Sequence, residues 1–218
     1  MTSTSPVDVR DMKIVHQTFR RAYEESAQLI RALPTPSSAR VTFLADHIDF
    51  GLNMLHHHHE GEDVILYPLL VERAPDHATR TEQIDHEHQV VKGTIDSALS
   101  ACSIWRNAPS RETAERLASA LDELNSALVP HLDNEEREIV PLAAVNVTQQ
   151  EWNSLAKHGI AAIPGNKRLI AFGMILEPLD PTDRAYMLSN LPPPVKILYR
   201  VFGKRAWNKY ATTLRSGT

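Results

Sequence analysis

Three observations predict an all-α chain, an up-down-up-down four-helix bundle with a helical C-terminal extension. Apolar residues recur at three- and four-residue steps through four stretches of about 30 residues each. Short clusters rich in proline, serine and asparagine separate those stretches. No stretch alternates with period two over a strand's length. Long amphipathic helices joined by short loops bury their apolar faces best against one another.

The first segment is predicted over residues 7–33, with Ile14, Phe19, Leu29 and Ile30 as its apolar contacts. Pro34-Thr35-Pro36-Ser37-Ser38 ends it, since proline disfavours helix at its own position and at the one before. The second segment is predicted as one run over 38–73, carrying Phe43, Leu44, Phe50, Met54, Leu55, Ile65 and Leu66. Gly51 within it costs about 1 kcal/mol relative to alanine, which a long helix tolerates. Ala74-Pro75-Asp76 breaks the chain before a third segment over 76–105, where Ile84, His88, Val91, Ile95 and Leu99 form one stripe. Asn107-Ala108-Pro109-Ser110 follows, with Ser110 as the N-cap of a fourth segment over 111–145. Leu117, Leu121, Leu124 and Leu128 mark its inner face, and Pro130 is expected to kink it.

Residues 1–147 therefore form the bundle and residues 148–218 the extension. Thr148-Gln149-Gln150-Glu151 reads as a capping box, and Asp180-Pro181 as an N-cap followed by proline in the first turn. Pro192-Pro193-Pro194 interrupts, and an apolar pattern resumes over 195–203. The stretches 160–163, 169–179 and 197–202 are too apolar to face water, so the extension is expected to dock on the bundle or to form a homodimer contact.

Composition narrows the function. The chain has 218 residues, with 23 Lys and Arg against 27 Asp and Glu and a net charge of −4. That balance speaks against a nucleic-acid partner, which calls for a basic excess. No run reaches the roughly 18 apolar residues of a membrane span, and the first ten residues are too polar for a signal peptide. The single cysteine, Cys102, has no partner for an internal disulfide and reads as a buried small hydrophobe. A cytoplasmic location is the resulting expectation.

Histidine is the outlier at 11 residues, four of them consecutive, His56 to His59. The informative pattern is a repeat. Residues 58–69 and 131–142 both read His-x-x-x-Glu-(Asp/Glu)-x-x-(Ile/Leu)-x-Pro-Leu, 73 residues apart. The spacing i, i+4 sets an imidazole and a carboxylate one turn apart on one helix face. His16-Gln17 in the first segment matches His88-Gln89 in the third, 72 residues on. His88 shares its face with Ile84, Val91 and Ile95, whereas His86 lacks that company and is the fallback. The candidate metal ligands are His16, His58, Glu62, His88, His131 and Glu135. Four imidazoles and two carboxylates suit a pair of iron or manganese ions at a bundle centre. Glu62 and Glu135 have apolar neighbours, and a buried carboxylate without a partner is costly.

In these residues and their spacing, the sequence resembles the hemerythrin-like (HHE cation-binding) proteins over about residues 8–145. The resemblance implies a non-haem di-iron centre, oxo- or hydroxo-bridged, with Glu62 and Glu135 bridging and manganese as the alternative metal. It implies a small ligand, O2, H2O2 or NO, and either oxidoreductase chemistry of a peroxidase, catalase or NO-detoxifying kind, or oxygen or iron sensing without turnover. Two departures stand out. Oxygen carriers of that family have a second histidine four residues after the first on the third helix, where this chain has Lys92. Their fourth-helix carboxylate lies five residues after the histidine, the place of Glu136, but four steps keep the helix face better and favour Glu135. Four histidines leave one ion to take water, a tyrosine or nothing, with Tyr23 and Tyr67 the tyrosines considered. That open position favours chemistry at the metal over reversible carriage. His56, His57 and His59 are expected to flank the ligand helix, and His47 to be structural. Arg20 and Lys92 are expected to be surface ion-pairing residues.

Overall fold

The computed structural model describes residues 6–33 and 36–216, and every regular element among them is helical. The break at Pro34 and Thr35 lies outside the described residues. Helix α1 spans Arg10–Arg31, α2 Ser38–Gly61, α3 Tyr67–Arg73, α4 Ala78–Asn107 and α5 Arg111–Asn146. The expected single helix over 38–73 is instead α2, a π-turn over Glu62–Leu66, and α3. The Tyr67 N–H donates to the Glu62 carbonyl, a five-residue step. Such insertions widen one helical turn and often mark functional sites.

Ser37 and Ser110 cap α2 and α5, each side chain accepting a backbone N–H three residues on. Pro130 and Pro141 both lie inside α5, which runs uninterrupted through them. Val7 N–H donates to the Ala144 carbonyl at 2.8 Å, while Arg31 at the other end of α1 pairs with Glu115 at 2.8 Å. The Tyr23 hydroxyl reaches the Gly51 carbonyl at 3.0 Å, and Arg106 near the end of α4 binds Asp46 and Asp49 in the first half of α2. Thus α1 packs on α2 and α5, and α4 on α2 and α5, around a core of Phe19, Ile48, Leu52, Leu55, Ile95 and Leu124. Cys102 is buried in this core, with Sγ 3.6 Å from the Ala45 carbonyl oxygen.

The remaining helices are α6 (Gln149–Ala162), α7 (Arg168–Leu176), α8 (Pro181–Ser189), α9 (Pro193–Leu198) and α10 (Lys204–Arg215). The capping box of Thr148 and Glu151 starts α6, and the Asp180 carboxylate caps α8. Buried Ala171 and Met174 of α7 meet Phe50 of α2 and Trp207 of α10. A Cβ at Gly173 would lie 2.5 Å from the Trp207 side chain, so glycine permits this approach. Arg40 of α2 donates to the carbonyls of Thr213 and Leu214, satisfying the C-terminal end of α10. The expected burial of the apolar stretches fails in part: Ile160 is exposed, and so are Ile197, Leu198, Val201 and Phe202, where α10 meets the core through Trp207, Ala211 and Leu214 instead. No helix among the described residues is long and apolar enough to cross a membrane.

His47 joins α2 to α10 through Nδ1 and the Tyr210 hydroxyl, 3.1 Å apart. Burial holds its pKa down, from 6.5 to about 4. Between those values the unfolded chain carries the proton and the folded one does not, so stability rises with pH across the window and is lost as pH falls through it. Up to about 3 kcal/mol is at stake. Urea unfolding of wild type and His47→Gln between pH 4 and 7 is expected to show the slope reduced by about one proton in the variant. Parallel curves refute the assignment.

Candidate metal centre

The repeat converges on one buried cluster. His16, Glu62, His88, His131 and Glu135 are each at most 2% exposed. The i, i+4 pairs point inward from α2 and α5: His58 Nε2 lies 3.2 Å from Glu62 Oε1, and His131 Nε2 3.9 Å from Glu135 Oε2. His16 on α1 and His88 on α4 close the cluster. Glu62 straddles it, with Oε1 toward His58 and Oε2 3.6 Å from His88 Nε2. Glu135 Oε2 lies 3.4 Å from His16 Nε2 and reaches His131 as well. Each carboxylate therefore touches histidines on both sides.

Two ligand groups result. His16, His58, Glu62 and Glu135 offer atoms within 4.8 Å of one another, and so do His59, His88 and His131. His59 is a correction to the expected flanking role. It is 5% exposed, stacks on His88 with ring centroids 4.3 Å apart, and meets His131 edge-on at 5.0 Å. Successive helical residues point about 100° apart. On the inner face of α2 this turns His58 toward α1, against His16 and Phe19, and His59 toward α4 and α5. His56 and His57 remain half-exposed beside Glu60. His86 is exposed.

A second tier of acids holds the rings. His88 Nδ1 lies 2.7 Å from Asp63 Oδ1, His16 Nδ1 3.0 Å from Glu136 Oε1, and His131 Nδ1 3.3 Å from Glu87 Oε2. An ionised carboxylate only accepts, so each Nδ1 carries the hydrogen and Nε2 presents its lone pair inward. Asp63 and Glu136 occupy the same place in the repeat, the acid directly after each cluster glutamate. Each orients the histidine of a neighbouring helix. Arg20 holds Glu136 in turn at 2.8 Å, so its ion pairs support the site as well as the surface. Lys92 is exposed.

The polar atoms fit a cation. His16 Nε2 and His58 Nε2 face each other at 3.1 Å, and the His16 lone pair also faces a carboxylate oxygen. His59 Nε2, His131 Nε2, both Glu62 oxygens and Glu135 Oε2 are buried without a hydrogen-bond partner. Converging acceptors at this depth repel unless a cation lies among them. Burial, then the other imidazoles, holds His58 and His59 well below the usual histidine pKa. Burial likewise lowers His131 to about 4. The three rings are thus in the neutral form that ligates metal. Burial and the Glu135 charge push the Glu62 carboxyl well up, a cost that a cation offsets.

Of the two candidate tyrosines, Tyr67 is at the cluster: its hydroxyl donates to Glu135 Oε1 at 3.1 Å and lies 3.2 Å from His88 Nε2. Burial and the nearby carboxylates raise its pKa, so it acts as an O–H donor in this geometry. Tyr23 is bound to Gly51 and lies away from the cluster. His58 is the most exposed ring of the cluster, with 15% of its side chain accessible.

Comparison with known proteins agrees with this geometry. A family model described as "Hemerythrin HHE cation binding domain" matches residues 7–143. No curated protein and no solved structure matches the chain.

Proposed function

The chain belongs to the hemerythrin HHE cation-binding family, and from that premise we propose a non-haem di-iron protein acting on a small oxidant, O2, H2O2 or NO. Cation binding follows from the family, and the His and Glu cluster fits a metal site. In the proposed assignment His16 and His58 would hold one iron and His59, His88 and His131 the other, with Glu62 and Glu135 as the carboxylate ligands. Manganese is the alternative metal. The carrying observation is the convergence of histidine and glutamate side chains from four helices on one buried cluster, in which His59 Nε2, His131 Nε2, both Glu62 oxygens and Glu135 Oε2 have no hydrogen-bond partner.

We read α1, α2, α4 and α5 as the up-down-up-down bundle that aims these side chains, with 148–218 as a docked extension. The supporting contacts are Val7 with Ala144 against Arg31 with Glu115, and His16 with His58 against Tyr23 with Gly51. When bound, two irons supply Lewis acidity and two exchangeable electrons. Within the protein, Asp63, Glu87 and Glu136 fix the tautomers of His88, His131 and His16. The Tyr67 O–H is the proton donor nearest the second group, and the two-histidine side is where a small oxidant enters, beside partly accessible His58. One buried thiol and no disulfide pair support a cytoplasmic setting.

The test is addition of peroxide to iron-loaded protein with an oxygen electrode, following 2 H2O2 → O2 + 2 H2O. Turnover is expected, and Glu62→Ala is expected to lose at least about a hundredfold of it, the scale of losing a group that stabilises developing charge. His59 favours a second reading, reversible oxidant binding or sensing, because three histidines would hold one ion against two for the other and make the two positions unequal. A stable, reversible spectral change without oxygen evolution selects that reading and rejects the enzyme.

A further inference from the structure

A cavity of about 580 Å³ lies against the two-histidine side of the cluster, between α1 and α2 on one wall and α6, α7 and α8 on the other. Its walls are largely apolar, including Phe19, Phe50, Met54, Trp152, Leu155 and Phe172, and His58 and Glu62 are among the lining residues. The volume falls within the roughly 300–1,000 Å³ of sites that take organic ligands. A diatomic or peroxide needs little more than the ~30 Å³ of a water molecule. The helices α6 to α8 also lie beyond residue 143, where the family match ends. The cavity thus has room for a larger molecule, and its outer wall comes from helices beyond the matched residues.

We propose that this cavity binds a neutral, mainly apolar organic molecule, one end of which rests against His58 and Glu62. Neutrality follows from the charged groups along the wall outside the His and Glu cluster, which are already engaged. Asp46 and Asp49 are both paired with Arg106. The Asp11 carboxylate accepts from Trp152 Nε1 at 2.9 Å, and the Lys167 ammonium lies over the Phe50 ring, 4.8 Å from its centroid. An apolar ligand leaves these contacts undisturbed. The inference stands on the cavity, and only the approach to the metal rests on the reading above.

The probe is Nile red, a neutral apolar dye, titrated into metal-free and iron-loaded full-length protein. One dye per chain is expected in both forms, with a change in the iron absorption spectrum on binding. Gly159→Phe fills the space, because a Cβ at Gly159 meets nothing within 4 Å. This substitution also replaces a helix-interior glycine by a better helix former. It is expected to weaken dye binding by about tenfold or more while metal content and thermal midpoint are retained. Ile197→Ser with Phe202→Ser, on the exposed apolar face of α9 and the turn after it, is expected to leave binding unchanged. The proposal is overturned if wild type binds no dye, if Gly159→Phe binds as wild type does, or if the Ile197/Phe202 variant abolishes binding. Dye binding blocked by Gly159→Phe in a protein that takes up no iron keeps the cavity and rejects the metal reading.

Discussion

Chelation of the metal lowers the midpoint of thermal unfolding by about 8–16 °C, and added iron restores it. The figure follows from about 4 kcal/mol of linkage at a thousandfold excess over Kd, with 1 kcal/mol shifting the midpoint of a chain of this size by about 2–4 °C. The physical source is the pair Glu62 and Glu135, 1% and 0% exposed, whose ion-pair contacts among the described residues are histidines alone. Without a cation the Glu62 carboxyl retains its proton in the folded state above the ordinary value of 4.5. The folded state then binds more protons than the unfolded one, so this group's contribution falls as pH rises from 4.5 through the raised folded-state pKa. Metal displaces that proton and removes the slope. Differential scanning calorimetry at several pH values, with and without chelator, measures both effects. A midpoint moved by less than 2 °C rejects a metal site at this pair, because linkage at a thousandfold excess over Kd is worth about 4 kcal/mol.

How far the sequence predicts this arrangement depends on which residue is asked about. His58, Glu62, His131 and Glu135 were legible because one helix carries each pair at i, i+4 and the pattern occurs twice. His16 and His88 were legible through the shorter upstream match. Asp63 and Glu136 stood in the repeat as a shared acidic position, but their role needed the structure, since each orients a ring on another helix. Glu87 has no counterpart in the repeat, and its contact with His131 depends on how α4 meets α5. His59 was hidden by the repeat itself, because Leu132 occupies the equivalent position. Its signal lay elsewhere, in the buried stripe Leu44, Ile48, Leu52, Leu55, His59, Glu62 and Leu66, which keeps helical steps of three and four. The helical class and most breaks followed from proline clusters and caps. The π-turn at Glu62 did not, since Pro141 recurs at the equivalent place in α5 without one. A Cβ at Gly61 would lie 3.1 Å from the His158 ring, so α6 packs tightly where the turn begins. That contact joins residues about 100 apart and leaves no local pattern.

His59→Ala reduces bound iron from two per chain to about one, while His57→Ala leaves two. The two histidines are near neighbours on α2 and equal in chemistry, so only their direction distinguishes them. His59 lies at 4.3 and 5.0 Å from the His88 and His131 rings, whereas His57 pairs with Glu60 at 2.8 Å, and 35% of its side chain is exposed. Loss of a direct ligand costs more affinity than loss of an outer-shell partner, itself worth about 10–100-fold. Elemental analysis after gel filtration in iron-free buffer gives the count, and circular dichroism verifies that both variants fold. Iron retained at two per chain in His59→Ala with unchanged affinity removes His59 from the ligand set and returns the site to four histidines. The count also bears on function. In the proposed assignment, His59 would complete the three-histidine group and leave the His16 and His58 side, against the cavity, as the place for exchange. Without it, two histidines would hold each ion in the proposed assignment. Peroxide turnover that rises in His59→Ala, measured per bound iron, therefore indicates that this histidine restrains the chemistry, and turnover that vanishes indicates that the second ion takes part in it.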